Sequence, residues 1–250
     1  MKTLEVSADP DLGFEAPVKI RQPFMIHTWA DLAFLHWPFE PKLLQALLPP
    51  SLQVDCFDGA AWVGLIPFRL SVRLPPFLPS IRGLSRTLEV NVRTYVRGPD
   101  GRRGIWFLSL DANCLPLVLI TRVWYRIPYM WAGLEFRRSG QVVQYQSSRR
   151  LPRQTDADVR VHLLLESEAD DLSPLEQFLT CRWRLYSPGV RGIMASQIDH
   201  PSWPLIRTRP LEIDSGLLAP LGLKTPSEPP MALFSPGVEV GWGRRHLASP

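Results

Sequence analysis

The chain reads as an α+β protein: a closed or nearly closed antiparallel β-barrel with a few short helices laid against it. Three observations predict this. The 26 prolines against 16 glycines in 250 residues imply many short elements joined by stiff turns. Long runs alternate apolar and polar residues with a period of two. The clearest sets Leu88, Val90, Val92, Thr94 and Val96 against Glu89, Asn91, Arg93, Tyr95 and Arg97. Turn signals separate such runs at Asp58-Gly59, Gly98-Pro99-Asp100-Gly101 and Ser139-Gly140. With 45% hydrophobic residues the chain can bury one sizeable core. One domain is therefore expected over residues 24–250, after an irregular arm over 1–23.

Taken in order, Pro41 suits the first turn of a helix that places Leu43, Leu44, Leu47 and Leu48 on one face, and Pro49-Pro50 ends it. Leu52, Val54 and Cys56 alternate as a strand and turn at Asp58-Gly59 into a return strand over 60–70. A proline-rich loop over 74–80 precedes the Leu88–Val96 strand, which pairs with one over 105–110. A helix over 113–125 is expected to be capped by Asn113, with Pro116 in its first turn. After the Pro128 corner, 131–138 and 141–150 form a hairpin, and Val159, Val161, Leu163 and Leu165 mark another strand. Ser173-Pro174-Leu175-Glu176 is a capping-box pattern for a short helix ending near Thr180. Cys181, Trp183 and Leu185 alternate with Arg182, Arg184 and Tyr186. Further strands are expected over 192–198, 205–213 and 238–244, with a short helix over 217–221. The sum is about ten strands and three or four short helices.

Composition narrows the function. The first twenty residues hold no apolar run suited to a signal peptide, and no stretch is long enough to span a membrane. A cytoplasmic protein with no membrane partner is expected. Cys56, Cys114 and Cys181 are widely spaced with no CxxC pair, which argues against disulfides or zinc and for small buried apolar residues. The net charge of +4 comes almost wholly from arginines scattered as singles and pairs, so no nucleic-acid stripe is formed. The five histidines show no ligand spacing, and no phosphate loop, dinucleotide fingerprint or GxSxG elbow is present. Neither a metal nor a cofactor is expected. A small-molecule ligand and a homo-oligomer are the partners left open.

Glu89, Asn91, Arg93 and Tyr95 share one side of their strand. That side is either solvated or looks into a barrel lumen, where a carboxylate and a guanidinium could bind an oxyacid and hold a proton. Val90, Val92 and Val96 would then pack outward under helices. His36 in His36-Trp37-Pro38 and His200 in His200-Pro201-Ser202-Trp203-Pro204 are fixed by bulky neighbours at expected strand-to-loop junctions. Each reads as a backbone-bonded structural histidine or as an acid/base or substrate-orienting one. Ser109-Leu110-Asp111 is read as placing its hydroxyl and carboxylate on opposite faces, which excludes a nucleophile pair.

Several blocks, set in this order over about residues 24–245, carry a resemblance. They are His36-Trp37-Pro38, Leu48-Pro49-Pro50 with Leu52 and Asp55, and Phe57-Asp58-Gly59-Ala60-Ala61-Trp62-Val63-Gly64. Pro67-Phe68, the run from Glu89 to Val96, Ser109-Leu110-Asp111 and Pro128-Tyr129 follow, then His200-Pro201-Ser202-Trp203 and Ser235-Pro236-Gly237-Val238. Together they resemble the YqjF-like family, a bacterial group of uncharacterised proteins in the acetoacetate decarboxylase-like superfamily. The resemblance implies a cone-like antiparallel barrel and makes Glu89 the pocket glutamate. It places Tyr129 where the decarboxylases carry their Schiff-base lysine, and Met130 where the neighbour that lowers that lysine's pKa would stand. The superfamily's N-terminal arginine has no match around Ala30 and Asp31. The lysines Lys2, Lys19, Lys42 and Lys224 lie far from that corner in sequence. The expectation is a decarboxylase-like pocket without imine chemistry. Glu89 and Tyr129 are its candidate catalytic pair, and Asn91, Arg93, Tyr95, His36 and His200 are candidate ligand-binding residues.

Overall fold

A computed structural model describes residues 9–73, 86–151 and 157–249. The expected proline-rich loop over 74–80 lies outside the described residues. The elements in chain order are β1 (Met25–Phe39), α1 (Pro41–Gln45), β2 (Gln53–Val54), β3 (Cys56–Phe57), β4 (Ala60–Arg73), β5 (Thr87–Arg97) and β6 (Arg103–Ala112). Then come α2 (Leu115–Ile120), β7 (Tyr129–Ser139), β8 (Val142–Leu151), β9 (Val159–Glu168) and α3 (Pro174–Thr180). The chain finishes with β10 (Arg184–Pro188), β11 (Ile193–Asp199), β12 (Ile206–Ser215), β13 (Met231–Trp242) and β14 (His246–Leu247).

Local chemistry explains most of these boundaries. Asp58 and Gly59 both take positive φ, 48° and 77°, as the tight turn between β3 and β4 requires. Ser173 and Glu176 form the reciprocal capping box at the start of α3. Other boundaries differ from the sequence expectation. Asn113 does not cap α2, because its side chain accepts from the Leu88 amide instead and Cys114 takes the cap position. The helix ends at Ile120 and relaxes into a π turn over Thr121–Tyr125, which stops at Arg126 with φ 55°. In α1 only Leu44 is buried and Leu43 points to solvent. The Leu52–Cys56 run is split at Asp55, whose amide bonds to the Tyr95 carbonyl. Cys56 is exposed, while Cys114 and Cys181 are buried.

One 14-stranded sheet closes on itself twice. A wide ring runs β1-β4-β5-β6-β7-β8-β9-β12-β13 and back to β1. A smaller ring leaves β6 for β10 and β11 and returns through the β11–β13 pairing. The two rings share the wall β13-β1-β4-β5-β6. Most pairs are antiparallel, but β10–β6 and β6–β7 are parallel, so the wholly antiparallel expectation is corrected there.

The shared wall is buried on both faces, and two cores follow from it. One packs Phe34, Ile66, Phe68, Leu110, Leu185 and Val240 inside the smaller ring. The other packs Leu35, Leu65, Val143, Val161, Leu163 and Phe234 inside the wide ring. Strand β5 accordingly turns Tyr95 to the first core and Val90 and Val92 to the second. The expectation that these valines lie outward under helices is wrong: they face a second lumen. Val96 joins a third cluster with Leu52, Trp106 and Tyr186.

Truncating Leu65, fully buried in the wide ring, removes core contacts that the closed wall cannot refill. Leu65→Ala is expected to cost about 2–5 kcal/mol in urea unfolding, against roughly 0.5 kcal/mol or less for the exposed Leu211→Ala.

Candidate functional site

The first feature of the candidate site is a carboxyl–phenol pair. The Ile127-Pro128 corner feeds β7, whose first residue, Tyr129, sits beside Leu110 in a parallel register. That placement points the phenol into the smaller ring, where its hydroxyl donates to Glu89 Oε2 at 2.8 Å. Both side chains are buried. Burial pushes the Glu89 carboxyl up to about 8 against the opposing effect of the Tyr129 hydrogen bond, so Glu89 is protonated at neutral pH. Burial and the neighbouring Glu89 raise the Tyr129 phenol well above its ordinary value.

A second group lies further along β5. Arg93 donates to the Tyr95 hydroxyl at 3.3 Å and to the Leu179 carbonyl at 3.2 Å, with its guanidinium over the Phe34 ring. Tyr95 spends its own proton on Leu179 O at 2.7 Å. His36, 2.6 Å away through Nε2, must therefore be the donor to Tyr95, which fixes its proton on Nε2 and leaves Nδ1 bare. Burial, then the charges of Arg93 and Arg182, hold His36 well below its ordinary value. Gly64 makes room for this histidine, because a Cβ there would stand 2.8 Å from Nε2. His36 lies within β1 rather than at a junction. His200 does lie just past β11, with Nδ1 2.7 Å from the Pro201 carbonyl. Burial first of all lowers it to about 4, so both histidines are neutral.

Glu89 and Arg93 do not pair. Four residues apart on one strand, their Cα atoms are separated by roughly 13 Å. Between them stands Asn91, buried, with no partner for Oδ1 among the described residues. Arg93 Nε and His36 Nδ1 are likewise buried and unpartnered.

Arg182 was not expected in the site. The period-two pattern set it on the face opposite Cys181 and Trp183, but it precedes β10 and is buried, as both of them are. It ion-pairs with Asp55 at 3.2 Å and lies over the Phe178 and Tyr95 rings. Burial brings its guanidinium down to about 10. The conjunction of Asp55 with an arginine-rich strand was the available signal.

A separate polar cluster faces the wide ring. Ser109 and Asp111, two apart on β6, share a face, which corrects the reading that separated them. Arg149 bonds both, through Nε to Asp111 Oδ1 at 2.8 Å and through Nη2 to the Ser109 hydroxyl, and Ser147 donates to Asp111 at 3.0 Å. All four are buried. The hydroxyl and the carboxylate are bridged by the guanidinium, so the group holds β6 to β8. A trough of about 910 Å³ is lined by β7–β9 residues including Trp131, Glu135, Gln146, Arg150 and Arg160. A cavity of about 190 Å³ lies against Phe14, Leu172, Trp203 and Leu205. Neither is lined by Glu89, Arg93 or Tyr129.

The sequence and the fold are matched elsewhere. The family described as "Uncharacterized conserved protein (COG2071)", DUF2071, matches residues 27–239. The chain belongs to the DUF2071 family. The uncharacterized protein YqjF of Bacillus subtilis (strain 168) is 30% identical over 217 residues, which cover 86% of this chain and 89% of YqjF. Among solved structures, an acetoacetate decarboxylase-like enzyme from Sphingomonas wittichii RW1 superposes with a TM-score of 0.59 at 15% identity, over 93% of this chain and 96% of that one. The enduracididine biosynthesis enzyme MppR complexed with pyruvate gives 0.59 at 13%, over 92% and 93%. The DUF2071 chain thus has the acetoacetate decarboxylase-like fold. Its described lysines, Lys19, Lys42 and Lys224, are all exposed.

The raised Glu89 carboxyl has a thermodynamic consequence. Unfolded, Glu89 ionises near its ordinary value of 4.5; folded, near 8. Between those limits the folded state binds more protons, so stability falls as pH rises from about 4.5 to about 8. The window is worth on the order of a few kcal/mol. Urea unfolding across pH 5–8 should show this loss, and Glu89→Gln should flatten the profile.

Proposed function

We propose that this protein binds a small organic acid or carbonyl compound inside the smaller ring and transforms it by acid–base chemistry of the lyase, hydratase or isomerase type. The observation that carries this reading is Arg93. It is buried, and it makes no ion pair with a carboxylate among the described residues. A buried cation of this kind is costly unless an anion meets it. A ligand carboxylate supplies that anion and matches the two-pronged geometry of a guanidinium. Arg182 shares the Asp55 carboxylate with Arg97 and Arg103, whereas Arg93 meets no carboxylate at all among the described residues.

The other groups suit the same ligand. The bare His36 Nδ1 is an acceptor for a hydroxyl, and Asn91 Oδ1 is another between the two ends of the site. Glu89, near 8, can hold or release a proton at working pH, the condition under which a carboxyl is an effective general acid and base. Tyr129 keeps its proton and donates it toward a carbonyl or enolate oxygen as charge develops there. An imine route needs an unprotonated amine at the reacting carbon. The resemblance puts Tyr129 and Met130 where those amines belong, and a phenol and a thioether cannot form an imine. A protein with this fold is complexed with pyruvate, which belongs to the same chemical class of an acid that is also a carbonyl compound.

A second reading, binding without catalysis, is favoured by one observation. Trp29, Phe34 and Trp203 pack on one another in this region, Trp29 and Trp203 stacked at 6.0 Å, and bring aromatic bulk close to Arg93. Calorimetry with a panel of small keto and hydroxy acids separates the readings. Arg93→Gln is expected to weaken binding by about ten- to a hundredfold. Glu89→Gln should abolish turnover while sparing binding, and turnover by no acid that binds would select the second reading. Borohydride added with a bound keto acid should leave the protein mass unchanged. A reduced adduct on Lys19, Lys42 or Lys224 that accompanied turnover would overturn the imine-free mechanism.

A further inference from the structure

Among the described residues, the least buried apolar side chains gather at one tip. Val123 and Trp124, in the π turn after α2, are 79% and 75% exposed, and Val190, in the β10–β11 turn, is 83% exposed. Arg245 ties the tip together, donating to the carbonyls of Trp124 and Tyr125 and to that of Pro188. Single exposed apolar residues are ordinary, but a cluster that includes a tryptophan marks a contact surface. The tip is also basic. Residues 115–126, 188–193 and 244–249 supply Arg122, Arg126, Arg191, Arg244 and Arg245 and no Asp or Glu. A two-fold contact of this patch with itself would set arginine against arginine.

The complement lies elsewhere on the same chain. The 190 Å³ cavity is lined by Phe14, Leu172, Cys181, Trp203 and Leu205, with Asp170 at its edge. It is smaller than the roughly 300 Å³ at which sites for drug-sized ligands begin, and suits a side chain better than a metabolite. Around it the chain reads Glu166-Ser167-Glu168-Ala169-Asp170-Asp171, with all four acids exposed. Glu166 pairs with Arg209, and among the described residues the carboxylates of Glu168, Asp170 and Asp171 have no recorded ion pair.

We propose that this protein assembles head to tail with further copies of itself, Trp124 of one copy seated in the Phe14–Leu172–Trp203 cavity of the next. The arginines around the knob then meet the acids around the hole. A buried tryptophan ringed by complementary charge is the usual anchor of such contacts. The contact joins two different surfaces, so it builds a ring when the rotation between copies closes, and otherwise a filament. This inference stands apart from the acid–base reading, since it uses neither Glu89 nor Arg93.

Sedimentation velocity and native mass spectrometry of the full chain over a range of concentrations provide the test. Species heavier than the 28.4 kDa monomer are expected. Trp124→Asp, at an exposed position that leaves the fold intact by circular dichroism, should weaken self-association by about thirtyfold or more. Arg126→Asp and Asp170→Arg should each weaken it, and together restore part of the loss. A monomer at every concentration would overturn the proposal, and so would an assembly indifferent to Trp124→Asp. Co-sedimentation of a monomer with phosphatidylglycerol vesicles, lost in Trp124→Asp, would overturn it too and assign the tip to a lipid surface.

Discussion

Everything distinctive about this protein depends on a wall buried on both sides. Strands β13, β1, β4, β5 and β6 belong to both rings, so neither face of that wall meets bulk water over most of its length. An ordinary half-exposed sheet can send its polar residues outward. Here a polar residue on β5 must be satisfied inside the protein or carry a cost. Glu89 meets this constraint by keeping its proton and accepting from Tyr129, and Tyr95 meets it by joining His36 to the Leu179 carbonyl. Asn91 Oδ1, Arg93 Nε and His36 Nδ1 are left without partners. Among the described residues, other unsatisfied atoms such as Asp158 Oδ1, His162 Nε2 and Thr208 Oγ1 lie away from the shared wall. Those of Asn91, Arg93 and His36 sit together on or beside one face of it, while in the wide ring Asp111, Arg149, Ser109 and Ser147 bond one another.

The same constraint explains what could be read from the sequence. Alternation on β5 put Glu89, Asn91, Arg93 and Tyr95 on one side, because a strand's period of two is a local property. The turns at Asp58-Gly59 and Ser139-Gly140, and the box at Ser173 and Glu176, are also local and appear where expected. What alternation cannot say is what lies beyond the other face. Val90 and Val92 have the same pattern whether they sit beneath helices or face a second lumen. Only the pairings that close the wide ring, β6–β7, β12–β13 and β1–β13, decide that.

Arg182 and Asn113 show two further limits. Arg182 precedes the strand to which it was assigned, so the period was counted through a segment that is not extended sheet. Its burial depends on Asp55, far back in the chain, and on the Phe178 ring beneath it. Asn113 has the chemistry of a helix cap, yet an unpaired amide at Leu88 competes for the same oxygen and wins. Each case turns on a partner supplied by another part of the fold. The Glu89–Tyr129 contact was legible for the opposite reason: a resemblance in the order of blocks carried the tertiary information that composition and spacing lack.

The separation of Glu89 from Arg93 bears on what the site can do. If a carboxylate is held by Arg93, the proton-transferring pair stands about four residues back along the strand, with Asn91 between. A two-carbon acid bound at Arg93 would leave its reactive carbon short of Tyr129. An acid that reaches both ends needs an extended body, and Phe34, Ile66 and Leu110, which line that side of the wall, ask for an apolar one. On the proposed reading, this geometry selects against the smallest keto acids and for a longer chain that bears its carbonyl or hydroxyl away from its carboxylate. That preference rests on strand pitch and on the apolar lining, so it is the same for a protein that turns an acid over and for one that only carries it.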